Sequence, residues 1–232
     1  MKLAIIPARG GSKRLPEKNL KPFLGRSLVQ RTAQTLVDTK LFDRVIVSTD
    51  DHGIACEGRL GGAEVPFMRP PALATDSAST LDVVIHAALQ LIDEENLEHS
   101  VIGVFQPTSP MLRSEHVEAA LALMSSQNFT SLSSMCRVDQ YPEWTFSQKD
   151  DSGRVVPSFP DKFDLPSQVI EPSYIENGAI YLVCADFLVQ HKSLYCMQNH
   201  GMYLMSSRDS VDIDTAEDWE FAEYLLNKIS DS

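Results

Sequence analysis

Short apolar runs alternate with amphipathic segments through the first 125 residues, and this alternation restricts the fold more than any other feature of the sequence. Runs of four or five residues rich in Val, Ile and Leu are typical of buried parallel strands, whereas the longer amphipathic segments are typical of helices. A βαβα order predicts an α/β fold with three layers, in which a mostly parallel sheet lies between helices. We predict strands at residues 3–6, 44–48, 64–68 and 101–105, and helices at residues 27–39, 79–96 and 114–124.

The pattern changes after Thr130. Residues 139–173, called the excursion below, are rich in Pro, Asp, Ser and aromatic side chains and show no clear period. A stretch this long without regular elements is usually functional or forms an interface, so we expect it to cover a site, to contact a second subunit, or both. We expect residues 1–232 to form one domain that contains this excursion. After it we predict strands at residues 178–184 and 202–205 and a closing helix at residues 215–229.

The loop after the first predicted strand concentrates positive charge. Six of the 20 Lys and Arg residues lie between Arg9 and Arg26 with a single acid, in a chain whose net charge is −12. Gly10 and the glycine after it permit close backbone approach to a ligand, and Arg9, Lys13 and Lys18 can balance a polyphosphate charge of about −4. The GxxxxGK[ST] and GxGxxG patterns are absent. The loop therefore predicts an anion site, with a solvated basic loop as the alternative.

Two acids far along the chain form a second candidate site. In an extended segment side chains alternate between faces, so Asp212 and Asp214 point the same way, about 7 Å apart. They directly precede the closing helix. Mg²⁺ is typically held by one or two carboxylates together with substrate phosphates, so this pair predicts a metal site that complements the basic loop. A merely solvated pair of acids is the alternative.

Polar loops follow two other predicted strands. Gln106 begins a rigid, proline-containing loop that ends at Arg113, and its side chain offers both a donor and an acceptor. The carboxyl edge of an α/β sheet is where ligands bind, although a plain turn with Arg113 in an ion pair is the alternative. Arg69 and Ser79 lie in weaker polar stretches after the third predicted strand. Together with the basic loop and the paired acids, these loops fit metal-assisted transfer of a nucleotide or phosphoryl group best.

Composition excludes several classes of protein. A net charge of −12 provides no broad basic face for nucleic acid or for an anionic membrane surface. No apolar run approaches the roughly 18–20 residues that span a bilayer, and we expect a cytoplasmic protein. The four cysteines are widely and irregularly spaced, which predicts reduced thiols, and the six histidines show no metal-ligand spacing, so we expect no zinc site.

Six motifs occur in order along the chain: IIPARGGSKRLPEKNLKPFLGRSL, VIVSTDD, RPPALATDSAST, FQPTSPMLR, ENGAIY and DSVDIDTAEDW. Together they resemble the motifs of the acylneuraminate cytidylyltransferases, which make CMP-activated nonulosonic acids, including CMP-sialic acid. The resemblance covers nearly the whole chain. A related enzyme that activates 3-deoxy-manno-octulosonate typically has Gly-Lys-Pro where this chain has Glu17-Lys18-Asn19, which favours the acylneuraminate branch.

The resemblance implies a nucleotide-diphospho-sugar-transferase-like fold, CTP as co-substrate, Mg²⁺ as cofactor, an acidic nine-carbon sugar as acceptor and a homodimer. The excursion would then contact the second subunit and help to build the sugar pocket. The resemblance assigns Lys18, Asp212 and Asp214 to catalysis. Asp212 and Asp214 would also bind the metal. Those assigned to CTP are Arg9, Gly10, Ser12, Lys13, Asn19, Arg69 and Ser79. Those assigned to the sugar acid are Gln106, Gln168 and Asn177.

The chain departs from the family pattern in one place. The family often has a basic residue just before the glutamine that matches Gln168, but here Pro166 and Ser167 precede it. Ile175 stands where some members that act on sialic acid carry Arg. Two kinds of acceptor therefore stay open equally: legionaminic or another bacterial nonulosonic acid, and N-acetylneuraminic acid. The alternatives are an octulosonate cytidylyltransferase and a catalytically silent nucleotide-binding module on the same fold.

Overall fold

The structure is a computed structural model that describes residues 1–75, 77–92, 97 and 99–230. Its strands and helices alternate as the apolar pattern predicts. The strands are β1 (Lys2–Pro7), β2 (Pro22–Phe23), β3 (Arg26–Ser27), β4 (Arg44–Ser48), β5 (Val101–Val104), β6 (Ser131–Arg137), β7 (Phe146–Gln148), β8 (Val155–Pro157), β9 (Tyr174–Cys184) and β10 (His200–Leu204). The helices are α1 (Leu28–Thr39), α2 (His52–Leu60), α3 (Thr80–Leu91), α4 (Ser114–Ser126), α5 (Ala185–His191) and α6 (Ala216–Ser230).

Six strands form the central sheet, in the order β10-β6-β9-β5-β1-β4. The β1–β4, β1–β5 and β6–β10 pairings are parallel, and β9 runs antiparallel to both of its neighbours. The prediction of a mostly parallel sheet is therefore confirmed. Because β1, β4 and β5 run the same way, the segments that follow them emerge at one edge, which is where the site described below lies.

The two faces of the sheet bury separate apolar cores. On one face, Ile6 and Val47 pack with Ala33 of α1, Ile54 of α2 and Val117 of α4. On the other face, strand residues pack against α3 and α5, and the members of this second core include Leu3, Ile5, Val84, Ala87 and Leu188. Helices on both faces give the three layers expected from the sequence. A third, smaller cluster joins Phe23, Leu28, Ile213, Trp219 and Ala222, and so fixes α6 beneath the basic loop.

Polar side chains set the starts of four helices, because each satisfies backbone N–H groups that the first helical turn leaves unpaired. Ser27 begins α1, Asp51 begins α2, and Ser79 begins α3 by accepting a hydrogen bond from Asp82 N. At α6, Asp218 N donates to Thr215 Oγ1 while Thr215 N donates to the Asp218 carboxylate, which is the reciprocal arrangement of a capping box.

Some predicted elements differ from the structure. A third strand at residues 64–68 is wrong, because only Glu64 pairs with β4, through an isolated bridge to Ile46, and Pro66 two residues later has no N–H to donate. Helix α3 ends at Leu91 rather than extending to residue 96, and residues 93–96 lie outside those described. Among the longer elements, α2, β6 and α5 are not predicted from the sequence, since their apolar periods are short or interrupted by polar residues. The short strands β2, β3, β7 and β8 are not predicted either.

The excursion forms a hairpin of β7 and β8 together with turns. Its ends meet at a backbone hydrogen bond of 2.9 Å from Val138 N to Ser173 O. Among the described residues, no helix is both long enough and apolar enough to cross a membrane.

Candidate nucleotide site

A cavity of about 530 Å³ opens at the sheet edge where β1 and β5 end. Its lining comes from separate stretches of the chain, as the sequence predicted for the basic loop and the polar loops. Eight of the residues assigned to the site line it: Arg9, Ser12, Lys13, Lys18, Asn19, Arg69, Gln106 and Asp214. The other wall residues include Arg14, Thr80, Val83, Pro107 and Thr108.

Hydrogen bonds hold the backbone of the basic loop against the segment after β4 and close the loop on itself. Gly10 N donates to Asp50 Oδ1 over 3.2 Å, so the loop lies directly against the segment that follows β4. A Cβ atom on Gly10 would lie 3.0 Å from the Asp51 carboxylate, which explains why glycine is needed at this close approach. The Asn19 side chain is buried and donates to Arg9 O over 3.1 Å, which closes the loop upon itself.

Asn19 also presents an acceptor to the cavity that it lines. Its Oδ1 atom is buried and has no hydrogen-bond partner among the described residues. Since a buried acceptor without a partner costs free energy, such an atom at a cavity wall is typical of a position that a ligand completes.

Arg69 supplies a buried positive charge on another wall. Its side chain is 6% exposed and donates to Ser48 O at the end of β4. Burial lowers the pKa of Arg69, Asp50 opposes that effect, and Arg9 adds to it. The guanidinium nevertheless stays charged, because an arginine side chain does not lose its proton in proteins.

Residues 209–215, which contain Asp212 and Asp214 and are called the acid segment below, meet the basic loop at Asp214. Lys18 Nζ lies 3.0 Å from Asp214 Oδ1 and also donates to Ile213 O over 2.5 Å. The other carboxylate oxygen, Oδ2, lies 2.8 Å from Arg14 Nη2. Residues almost 200 positions apart in the sequence are thus joined, and the two oxygens of Asp214 each contact a different cation of the loop.

The acid segment is also tied to the loop that begins at Gln106. Ile213 N donates to Thr108 O over 2.8 Å, and Arg113 Nη1 lies 2.6 Å from Asp209 Oδ1. The first contact holds the segment at Ile213, next to Asp212, and the second holds it at Asp209, three residues before Asp212. The ion pair that the sequence allowed for Arg113 therefore exists, and its partner is Asp209.

Asp212 is exposed and, unlike Asp214, does not line the cavity. Loss of solvent to the surrounding protein raises the pKa of the Asp212 carboxyl, and repulsion by Asp214 raises it further, against the opposing effects of the Thr108 hydroxyl and Lys18. Thr108 Oγ1 is buried and makes no hydrogen bond of standard geometry to the described residues. The two carboxylates are thus close enough to repel each other, a repulsion that a cation between them would relieve.

The donor set fits Mg²⁺ bound jointly with a ligand. Two carboxylates plus phosphate oxygens are the ligands that Mg²⁺ typically takes from a protein and a nucleotide. Among the described residues, no group of three or more His, Cys, Asp or Glu side chains is arranged to hold a metal ion. Asp212 and Asp214 can therefore supply part of a coordination shell, and a bound triphosphate can supply more of it.

Strand β9 contributes two polar residues, Glu176 and Tyr181, to the surroundings of Asp212. The pKa of Tyr181 is raised to about 12, first by burial and then by the charges of Glu176 and Asp212. Glu176 accepts a hydrogen bond of 2.9 Å from the Tyr195 hydroxyl. Sequence reasoning missed Tyr181 as a candidate, although the ENGAIY motif contains it.

Gln106 projects from the end of β5 toward the start of β9. A Cβ atom on Gly178, whose φ is +75°, would lie 3.0 Å from Gln106 Oε1. The glycine therefore gives the amide room to lie where it does. Ser109 Oγ, in the same loop, is buried without a hydrogen-bond partner among the described residues.

Five of the predicted site residues do not line the cavity: Gly10, Ser79, Gln168, Asn177 and Asp212. Ser79 caps α3, while its neighbours Ala78 and Thr80 form part of the wall. Asn177 is buried in a network in which it accepts from Ser134 Oγ over 2.6 Å and donates to Ser210 Oγ over 2.8 Å. Gln168 is exposed on a turn of the excursion.

Arg14 is a cavity residue that the sequence assignment omitted. It is one of the six cations counted in the loop, but nothing in the sequence distinguishes it from the others. Its place beside Asp214 depends on a segment at the far end of the chain.

Comparison with known proteins agrees with this geometry. The sequence matches the family described as "Cytidylyltransferase" over residues 3–228. It is 34% identical to the CMP-N,N'-diacetyllegionaminic acid synthase of Legionella pneumophila, over 97% of this chain and 95% of that protein. It is 29% identical to a pseudaminic acid cytidylyltransferase of Campylobacter jejuni, over 96% and 95%. It is 30% identical to an N-acylneuraminate cytidylyltransferase of Streptococcus agalactiae, over 94% of this chain and 51% of that protein.

Two solved structures share the fold. One is a CMP:2-keto-3-deoxy-manno-octonic acid synthetase complexed with CTP, with a TM-score of 0.70 and 18% identity over 98% of both chains. The other is a 4-diphosphocytidyl-2C-methyl-D-erythritol synthase from Anaerococcus prevotii, with a TM-score of 0.64 and 14% identity over 97% of this chain and 98% of that one. At these identities the likeness shows the fold alone, which confirms the expected nucleotidyltransferase-like α/β architecture.

Proposed function

The chain belongs to the cytidylyltransferase family, and from that membership we propose that it transfers CMP from CTP to the anomeric hydroxyl of a nonulosonic acid and releases pyrophosphate. The observation that carries the proposal is the meeting of the basic loop, the buried Arg69 and the acid segment around one cavity at the carboxyl edge of the sheet. The relatives named for legionaminic, pseudaminic and N-acylneuraminic acids support a nonulosonic acid as the acceptor.

In the proposed reaction the anomeric hydroxyl gives its proton to water and its oxygen forms a bond to the α-phosphorus of CTP. The bond from that phosphorus to the pyrophosphate oxygen breaks. The cations of the basic loop neutralise the departing pyrophosphate. Lys18 suits this task because contacts to Ile213 O and Asp214 hold it in place before the reaction. Charges that are already oriented stabilise a transition state without the cost of reorganisation.

The proposed metal ligands are Asp212 and Asp214. A bound Mg²⁺ would act as a Lewis acid toward phosphate oxygen. Neighbouring residues hold the two carboxylates in a fixed position relative to the loop that begins at Gln106. The backbone bond from Ile213 to Thr108 and the ion pair of Arg113 with Asp209 do this.

We assign nucleotide contact to Arg9, Gly10, Ser12, Lys13 and Asn19, with Arg69 and Ser79 near the cytosine and ribose. Ser79 would act through the position that it gives to the cavity wall at the start of α3.

The acceptor is proposed to lie beside Gln106. Asn177 would support it through the buried contacts that join β9 to β6 and to the segment before Asp212. Gln168 would reach an acceptor only as part of an assembled excursion, because it lies on an exposed turn of that segment.

We further propose that the protein is a homodimer and that the excursion contacts the second subunit. Large apolar side chains on the excursion are 38–60% exposed, which is a costly arrangement unless another surface covers them. They are Trp144, Phe146, Val155, Phe159, Leu165 and Val169. Because its proposed co-substrate is a nucleoside triphosphate, we propose a cytoplasmic location.

A pyrophosphate-release panel tests the proposed function. Four nucleoside triphosphates would each be incubated with N-acetylneuraminic, N,N'-diacetyllegionaminic, pseudaminic and 3-deoxy-manno-octulosonic acids, with and without Mg²⁺. We expect release only with CTP, Mg²⁺ and a nonulosonic acid. Faster release with the octulosonate would instead assign the chain to the alternative acceptor. Binding of CTP without release with any acid would indicate a silent nucleotide-binding module.

A further inference from the structure

The contact between Arg14 and Asp214 bears on how the cavity would take up its two charged ligands. Arg14 Nη2 lies 2.8 Å from Asp214 Oδ2, and both residues line the same cavity as Arg9 and Lys13. A guanidinium and a divalent cation that bind the same carboxylate oxygen compete for its lone pairs. Arg14 and a metal ion at the proposed site therefore compete for Asp214.

The two cations on Asp214 are not equivalent. The Lys18 side chain is 13% exposed and holds two acceptors, Asp214 Oδ1 and Ile213 O. The Arg14 side chain is 70% exposed. An exposed ion pair contributes little free energy, so Arg14 can leave Asp214 at small cost while Lys18 stays.

A triphosphate in the cavity gives Arg14 a stronger acceptor. Guanidinium and phosphate form paired hydrogen bonds, and those bonds are among the strongest that a side chain makes. The same nucleotide brings phosphate oxygens that complete the coordination of a cation held by two carboxylates. The exchange of Arg14 from carboxylate to phosphate and the arrival of the metal therefore favour each other.

We propose that Arg14 is an exchangeable partner of Asp214, which competes with a divalent cation for that carboxylate until CTP binds and draws Arg14 onto its phosphates. The proposal rests on the metal site assigned under the proposed function. It makes nucleotide and metal binding cooperative, and by linkage the metal strengthens CTP binding as much as CTP strengthens metal binding. Arg14 is then a competitor of the metal in the free protein and a binding residue for the nucleotide in the complex.

Two binding measurements without acceptor sugar test the exchange, because it predicts effects of opposite sign. In Arg14→Ala, the dissociation constant for Mn²⁺ without nucleotide, read from the free-ion paramagnetic resonance signal, should fall about two- to fivefold. In the same variant, CTP affinity measured by calorimetry in EDTA should weaken several-fold. Arg26→Ala is the matched control, since it removes the same charge from an exposed residue outside the cavity and should change neither value.

Each measurement can overturn the proposal. Unchanged Mn²⁺ affinity in Arg14→Ala would show that Arg14 does not compete for the metal, and unchanged CTP affinity would show that it does not pass to the phosphates. Arg14→Lys, which keeps the charge but cannot make the paired hydrogen bonds, should restore only part of the wild-type CTP affinity. Asp214→Asn separates the proposal from its premise. If that variant binds Mn²⁺ as tightly as wild type, the metal site itself is misassigned, whereas weaker binding supports the site, and the Arg14→Ala measurements then decide whether the exchange occurs.

Discussion

The basic loop and the excursion are both long, irregular stretches, but different contacts hold them. The basic loop is tied to the segment after β4 by Gly10, to itself by Asn19, and to the acid segment by Lys18. The excursion is held mainly by its own hairpin and by aromatic contacts such as Phe146 with Phe163, whose ring centroids lie 4.9 Å apart. The loop therefore needs only a charged ligand to complete it, whereas the excursion leaves an apolar surface that needs another protein surface.

The largest expected effect tests the side of the contrast that binds a charged ligand, which is the basic loop with the acid segment tied to it. Asp212→Asn should reduce kcat by roughly 100-fold or more, because loss of one metal ligand removes several kcal/mol of transition-state stabilisation. Thermal unfolding should be nearly unchanged, since Asp212 is exposed. Steady-state pyrophosphate release and circular dichroism measure the two. Glu217→Gln is the matched control, because it removes an exposed acid close by in sequence and should keep full activity. Normal turnover by Asp212→Asn would refute the metal assignment.

An effect of intermediate size is expected in the excursion. Phe146 is 53% exposed, and Phe146→Ser should weaken self-association roughly tenfold, because buried aromatic side chains dominate protein interfaces. CTP affinity should stay the same if the nucleotide site is complete in one chain. Sedimentation velocity over a range of concentrations measures the first and calorimetry the second.

The control for that variant is Tyr224→Ser, which removes an aromatic ring that is 59% exposed on α6. It should leave the association unchanged. A wild-type chain that sediments as a monomer at every concentration would contradict the dimer. Equal weakening by both variants would mean that the interface is not specific to the excursion.

A smaller effect separates backbone strain from site geometry. Gly178 and Gly153 both have positive φ, so alanine at either position should cost about 1 kcal/mol of folding stability. Only Gly178→Ala also places a methyl group 3.0 Å from Gln106 Oε1, whereas the space around Gly153 is open. We expect Gly178→Ala to raise the KM for the acceptor on the order of three- to tenfold and Gly153→Ala to leave it unchanged. Equal KM values would mean that Gln106 does not contact the sugar.

The smallest effect is a pH dependence beneath the acid segment. Burial lowers the pKa of His116, and Arg113 lowers it further, against the opposing effect of Asp209. The unfolded chain therefore takes up this proton more readily, so the stabilising contribution is complete above about pH 6.5 and is lost as the pH falls. The free energy of unfolding in urea should drop less between pH 7.5 and 5.5 in His116→Gln than in wild type. An equal drop would refute this role, and exposed His52→Gln is the control.

Much of the sheet could be predicted because its signals are local. Residues 44–48 are apolar and β-branched at their centre and form β4 over the same span. The helix predicted from residue 79 is α3, which begins at Thr80 with Ser79 as its cap. In α2, by contrast, Gly53 and Gly58 weaken the helical signal. A Cβ on Gly58 would lie 2.7 Å from Val47, so that glycine is needed for close packing against β4, which no local pattern reveals.

The candidate site divides in the same way. The sequence by itself determined the kinds of group present: a cluster of cations after the first strand, a pair of acids on one face of an extended segment, and polar loops at strand ends. These follow from residue type and short-range spacing, which depend on backbone geometry alone. The family membership follows from the same motifs in register.

Only the tertiary structure decided which of these groups meet. It placed Arg14 and Lys18 on opposite oxygens of Asp214, put Arg113 on Asp209, and directed Asn177 into a buried network instead of the cavity. It also left the apolar side chains of the excursion exposed. The reason is physical: contacts between residues nearly 200 positions apart depend on how the strands are ordered in the sheet and on how the helices pack against it. Neither is encoded in the residues on each side of a motif.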